Sequence, residues 1–156
     1  MPNGTQSCDR HRRDCVPDYP AVRVYLDSNV LFSASYDEQS DFLDLWKLRD
    51  VTPVISQYAV DEVSRNIKSP EHRRRFETLL TQTQFISDAD LRYIPISISL
   101  VAKDQAILAA AIFASVDYLV TGDIKHFGHL YNTTVSHVKV LRPTEFLRLH
   151  QDRLIS

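Results

Sequence analysis

Short apolar, strand-like runs alternate with helical stretches along this chain. That alternation predicts an α/β domain, a central parallel sheet covered by helices on both faces in a three-layer sandwich. Three observations carry the reading. The runs Val22–Leu26, Thr52–Ile55 and Tyr118–Thr121 are short and rich in β-branched residues, Ser69-Pro70-Glu71 is a helix start signal, and Lys103–Ser115 is rich in alanine. At 156 residues, 44% hydrophobic and 24% charged, the chain is long enough to bury a real core as one soluble domain.

Residues 1–20 are polar and charged and read as a mobile leader, with the domain proper at 21–156. Within the leader, Cys8, His11 and Cys15 fit no common zinc spacing and lack a fourth ligand. The two cysteines do not make a disulfide framework. The polar start, and the lack of any apolar stretch of about 18 residues, argue against a secretory signal and a membrane span. Cytoplasm is the expected location.

The elements follow in order. Val22–Leu26 reads as a first strand, and Ser40–Arg49 has helical character. Thr52–Ile55 is a second strand, and Ser56 a fitting N-cap for the helix after it. Ser69 caps a helix with proline at its first position and an acid next, running to about Thr81. Phe85–Ser87 is a third strand, Lys103–Ser115 a helix, Tyr118–Thr121 a buried strand and Val138–Val140 another. Pro143 opens a last helix toward His150.

Four separate pieces of this scaffold each deliver one acid. Asp27 directly follows the first strand, and ligands of open α/β sheets collect beyond the carboxyl ends of strands. It reads equally as a cap or turn aspartate beside Ser28 and Asn29. Ala59, Val63 and Ile67 mark the core face of their helix, with Glu62 and Asn66 on its flank and Asp61 nearly opposite. Glu62 is thus the candidate ligand, with an ordinary surface glutamate as the other reading. Asp104 shares an inward stripe with Ile107, Leu108, Ala111 and Ser115. The helix dipole explains an acid at that helix start but not one that faces inward. Asp123 closes the apolar run Tyr118-Leu119-Val120-Thr121-Gly122, so Asp27 and Asp123 are expected to project into one crevice. Asp117 precedes its strand and belongs at the opposite edge. Acids aimed toward a core need a compensating cation, for which a divalent metal is the simplest.

These segments together resemble a PIN domain, a metal-dependent nuclease family that includes many toxins of bacterial toxin–antitoxin pairs. The resemblance runs from about Val22 to Leu147. It is strongest at Leu26-Asp27-Ser28-Asn29-Val30-Leu31, and from Lys103-Asp104-Gln105 through Thr121-Gly122-Asp123. It implies Mg²⁺ or Mn²⁺ at the acidic cluster, RNA hydrolysis, a homodimer and, in toxin members, a protein antitoxin that blocks the site. It also implies roles for Ser28, Asn29 and Thr121 in orienting ligands or substrate. Some relatives carry a further acid after the last aspartate, where this chain reads Ile124-Lys125-His126. His126 is a candidate phosphate contact there, or a surface residue.

Carboxylate-held Mg²⁺ suits phosphodiester hydrolysis, which needs an activated water and relief of phosphoryl charge. Asp27, Asp104 and Asp123 are the expected direct ligands, with Glu62 holding a second ion or a water. Net charge is −2 and pI near 6.3, so RNA contacts call for a local patch. Arg73, Arg74 and Arg75, with Lys68 nearby, offer one, or else form a solvated basic face. The alternative function is a non-catalytic PIN-like module that binds RNA or a protein. A phosphotransfer domain fits less well, because Asp27-Ser28-Asn29 lacks a second aspartate two residues on.

Overall fold

The computed structural model describes residues 19–155; Cys8, His11 and Cys15 lie outside the described residues. Six strands form one sheet: β1 (Val22–Leu26), β2 (Val51–Ser56), β3 (Gln84–Ile86), β4 (Tyr118–Val120), β5 (Thr134–Val135) and β6 (Val138–Leu141). Their order is β3-β2-β1-β4-β6-β5. All neighbours run parallel except β5, which pairs antiparallel with β6. The sheet is therefore mixed at one edge, where the sequence predicts only parallel strands. Two residues are too few to show a period.

Helices α1 (Ser28–Tyr36), α2 (Gln57–Asn66), α3 (Pro70–Leu80), α4 (Ala102–Phe113), α5 (Ile124–Phe127) and α6 (Pro143–Leu149) flank the strands. Consecutive residues of a strand point to opposite faces. Val24, Tyr25 and Leu26 of β1 are all fully buried, as are Val54 and Ile55 of β2 and Leu119 and Val120 of β4. Both faces of the sheet are therefore covered, which makes three layers. Proline is tolerated within β2 because β3 pairs only from Val54 onward, leaving Pro53 beyond its reach.

Strand order fixes where the chain can do chemistry. From β1 the path steps outward to β2 and β3, then returns to place β4 on the other side of β1. The switch point lies between the carboxyl ends of β1 and β4, the usual ligand crevice of such sheets.

Three local differences from the sequence reading have physical causes. Helix α1 is absent from that reading because Ser28, Asn29, Ser33 and Ser35 are weak helix formers. Tertiary packing holds it instead, with Val30, Leu31, Ala34 and Ser35 buried and α1 packed on α2 and α3. The helix expected over Ser40–Arg49 is a six-residue 3₁₀ turn, Asp41–Trp46. Beyond it the chain pairs with the C-terminal segment, through a bridge of Leu48 with Leu154 and a bond from Arg49 N to Arg153 O of 2.8 Å. Ser115, placed on the inward stripe of α4, is exposed with φ of 56°, because the helix ends at Phe113.

Tyr19 and Pro20, assigned to the leader, are held to the domain. The Tyr19 hydroxyl donates to Asp152 O at 3.0 Å, and Arg153 Nη1 donates to Pro20 O at 2.7 Å. No helix among the described residues is long and apolar enough to cross a membrane.

Arg75 secures α1. Its Nε donates to Ser35 O at 2.8 Å and its Nη2 to Tyr36 O at 2.5 Å, satisfying end carbonyls of the helix that starts from Asp27. Arg75→Ala is expected to lower stability by about 1–2 kcal/mol, while the exposed Arg74→Ala changes it by less than about 0.5 kcal/mol. Urea denaturation measures both, and equal midpoints would refute the capping role.

Candidate metal centre

Asp27 leaves the end of β1 with extended backbone, φ −66° and ψ 158°, and caps α1, its Oδ1 accepting from Ser28 N at 2.7 Å. Asp27 is therefore a helix cap, and the same side chain also lines the cleft. Its Oδ2 accepts from the Thr121 hydroxyl at 2.7 Å, and Asn29 Nδ2 stands 3.4 Å away. Thr121 also accepts from Asp123 N at 3.1 Å. One hydroxyl thus ties the acid after β1 to the acid after β4. Asn29 makes a second tie, its Oδ1 accepting from Gly122 N at 2.9 Å.

The other two acids arrive from helices. Glu62 sits on α2 beside the buried Val63. Its Oε1 accepts from the Ser28 hydroxyl at 2.6 Å, and its Oε2 lies 3.6 Å from Lys103 Nζ. Asp104 is in the first turn of α4 and only 3% exposed. Its Oδ2 is the one buried side-chain polar atom among the described residues without a hydrogen-bond partner. His126 Nδ1 is 3.2 Å from that oxygen but bonds Asp123 Oδ2, at 2.7 Å.

All four acids line one cleft of about 580 Å³, together with Ser28, Asn29 and Lys103. Beside it, Asp104 and Asp123 group with His126, each offering a donor atom within 4.8 Å of the others, whereas the sequence points to Asp27, Asp104 and Asp123. None of Arg73, Arg74 and Arg75 lines this cleft. Arg75 is committed to α1, and Arg73 Nη2 donates to Ser64 O at 3.1 Å. Past Phe32 and Asn66 the cleft adjoins a second hollow lined by Tyr36, Lys68 and Arg75.

The electrostatics are those of negative charge held out of water. Burial pushes the Asp27 carboxyl up to about 6, against the pull of its bonds from Thr121 and Ser28, with Asp104 and Glu62 adding to the rise. Burial likewise raises Asp104. Partial burial opposes ionisation of Asp123 too, but the His126 bonds win and lower it. Burial disfavours the Lys103 ammonium, yet the carboxylates led by Glu62 outweigh it and raise its pKa. Lys103 is the site residue the sequence reading passes over. A lysine in the first turn of a helix opposes the dipole, and that was its signal.

The donor set fits a divalent cation: hard carboxylate oxygens, one of them buried and unpartnered, around a cleft open to water. The sequence pattern of the PIN domain matches residues 23–125. The chain belongs to the PIN domain family. No curated protein sequence matches it significantly. Among solved structures, this PIN domain is similar to a chain of VapBC2 from Rickettsia felis, crystallised bound to a DNA fragment from their promoter. The TM-score is 0.57 and identity 18%, over 78% of this chain and 98% of that one. At that identity the likeness is one of fold.

The folded chain takes up a proton at Asp27 more readily than the unfolded chain does. Without divalent ions, stability is therefore expected to rise as pH falls from about 6 to about 4, and to gain nothing further from this group below that. The contribution is on the order of 3 kcal/mol. Melting temperatures of the wild type and Asp27→Asn across that range, in EDTA, measure it as the difference between the curves. Parallel curves would refute the buried, proton-seeking carboxyl.

Proposed function

We propose that this PIN domain is a metal-dependent endoribonuclease that hydrolyses RNA phosphodiester bonds in the acidic cleft. The observation that carries the reading is Asp104 Oδ2, a buried carboxylate oxygen with no partner in a cleft shared by three further acids. A Mg²⁺ or Mn²⁺ ion held there supplies an activated water and relieves charge on the phosphoryl and leaving oxygens.

The chain's own residues do the rest. Asp104 and Asp123 hold the ion, with Asp27 as the third carboxylate, fixed in orientation by Thr121 and the α1 backbone. Glu62, oriented by Ser28, holds the attacking water or a second ion. Lys103, 3.6 Å from Glu62, offers positive charge to the phosphate. The second hollow gives the flanking strand a place to lie, with Lys68 for a phosphate and Tyr36, 63% exposed, for a base to stack on.

RNA as substrate follows from the family resemblance, as does a homodimer. The likeness to VapBC2, a two-component pair, supports a toxin role and a protein antitoxin that covers the cleft. One observation favours a second reading, a non-catalytic binding module. Lys103 already brings a cation to Glu62, and the His126 imidazole already stands between Asp123 and Asp104.

End-labelled single-stranded RNA and DNA, incubated with the protein and Mn²⁺, Mg²⁺ or EDTA, separate the two readings. Cutting is expected with metal and RNA only, and folded Asp104→Asn is expected to lose roughly 100-fold or more. Metal binding without cutting of any RNA would favour the binding module. Full activity in the variant would exclude this cleft as the site.

A further inference from the structure

His126 stands where the family resemblance sets a further acid, and its surroundings give it a more definite part than a surface or phosphate-contacting residue. We propose that His126 is itself a metal ligand, completing an Asp104–Asp123–His126 site selective for transition-metal dications such as Mn²⁺ over Mg²⁺. The inference rests on the reading that the cleft holds a divalent ion.

Geometry is the first support. Nδ1 of His126 lies 2.7 Å from Asp123 Oδ2 and 3.2 Å from Asp104 Oδ2. Adjacent ligands of an octahedral ion at about 2.1 Å stand about 3 Å apart, so the two separations bracket the edge of such a polyhedron. All three side chains offer atoms within 4.8 Å of one another. Glu62 and Asp27 lie outside that group, Glu62 drawn to Ser28 and Lys103, and Asp27 to Thr121 and the α1 backbone.

The second support is independent of the cluster. Asp104 Oδ2 faces the imidazole, is buried, and accepts no hydrogen bond. The hydrogen-bond contact of Nδ1 is with Asp123 Oδ2 instead. A buried carboxylate oxygen left so is costly, and an ion placed between Asp104, Asp123 and Nδ1 satisfies all three.

Third, the imidazole is built in rather than free. Asp123 caps α5, its Oδ1 accepting from His126 N at 3.2 Å, and the next residue, Phe127, is fully buried. Two anchors either side of one ring hold it against the carboxylates of Asp123 and Asp104. Its chemistry then sets the selectivity. Magnesium prefers oxygen donors, whereas an imidazole nitrogen raises affinity along the first transition row.

Mn²⁺ electron spin-echo spectroscopy on protein labelled with ¹⁵N-histidine, together with calorimetric titration of Mn²⁺ and Mg²⁺, tests this without reference to activity. Directly coordinated histidine nitrogen is expected in the wild type, changing with the isotope and vanishing in His126→Ala. That variant is expected to bind Mn²⁺ about 10-fold or more weakly while its Mg²⁺ affinity moves less than about 3-fold. His126→Asp is expected to lower the Mn²⁺/Mg²⁺ preference by a similar factor. Mn²⁺ bound to the wild type without nitrogen coupling would overturn the proposal, and that result needs no variant to fold. So would an unchanged Mn²⁺/Mg²⁺ preference in folded His126→Ala. Nitrogen-coupled Mn²⁺ in a protein that cuts no RNA would uphold this site and sink the nuclease reading. A wild type that binds neither ion at millimolar concentration would sink both.

Discussion

Negative charge held out of water at one point of the sheet is the constraint around which the rest of this structure is arranged. Asp27 and Asp104 are each only 3% exposed, and they share their cleft with two more acids. Desolvation and mutual repulsion both work against ionising such a set. The fold answers with short polar ties rather than with a large opposing charge. Thr121, Ser28 and Asn29 aim hydrogen bonds at the carboxylates or at the turns that carry them. Lys103 and His126 bring positive or protonatable groups to the rim. The balance leaves one oxygen of Asp104 unanswered, and that remainder is what a cation can use.

Precision at such a site comes from backbone, and the sheet supplies it. β1 and β4 are neighbours in register, Leu26 opposite Val120, with Asp27 N bonded to Val120 O at 3.0 Å. The two strand ends are therefore fixed relative to one another before any side chain is considered. Helix α1 then starts directly from Asp27, so its stability and the aim of that carboxylate are coupled. Arg75, about forty residues later in the chain, supports the other end of α1. Its contribution to the site is mechanical and reaches it through a helix.

Much of this was legible in the sequence, and what was not has local causes. Strand positions could be read because β-branched runs bounded by turns announce buried parallel strands. The start of α3 was readable because Ser69 and Pro70 act through the backbone alone, and Ser69 does accept from His72 N at 3.1 Å. The convergence of the acids followed from where two strands end, for Asp27 and Asp123, and from which faces of two helices turn inward, for Glu62 and Asp104. Partnership was harder. No periodicity says that Arg75 turns to a helix terminus, or that His126 folds back between Asp104 and Asp123, because both depend on elements distant in sequence. Lys103 was hidden by its neighbour, since an inward acid in the same helical turn drew the reading. Helix α1 was hidden because packing, not propensity, makes it helical.

The clasp between Tyr19, Pro20 and Arg153 has a geometric consequence. Arg153 donates to Pro20 O, and Leu154 bridges Leu48 just ahead of β2. Both ends of the described fold therefore gather at the amino edge of the sheet, a strand's length of roughly 17 Å from the acids at the carboxyl edge. A fusion partner or affinity handle joined beyond Leu154 therefore departs from the edge of the sheet opposite the mouth of the cleft, and the acidic face stays open.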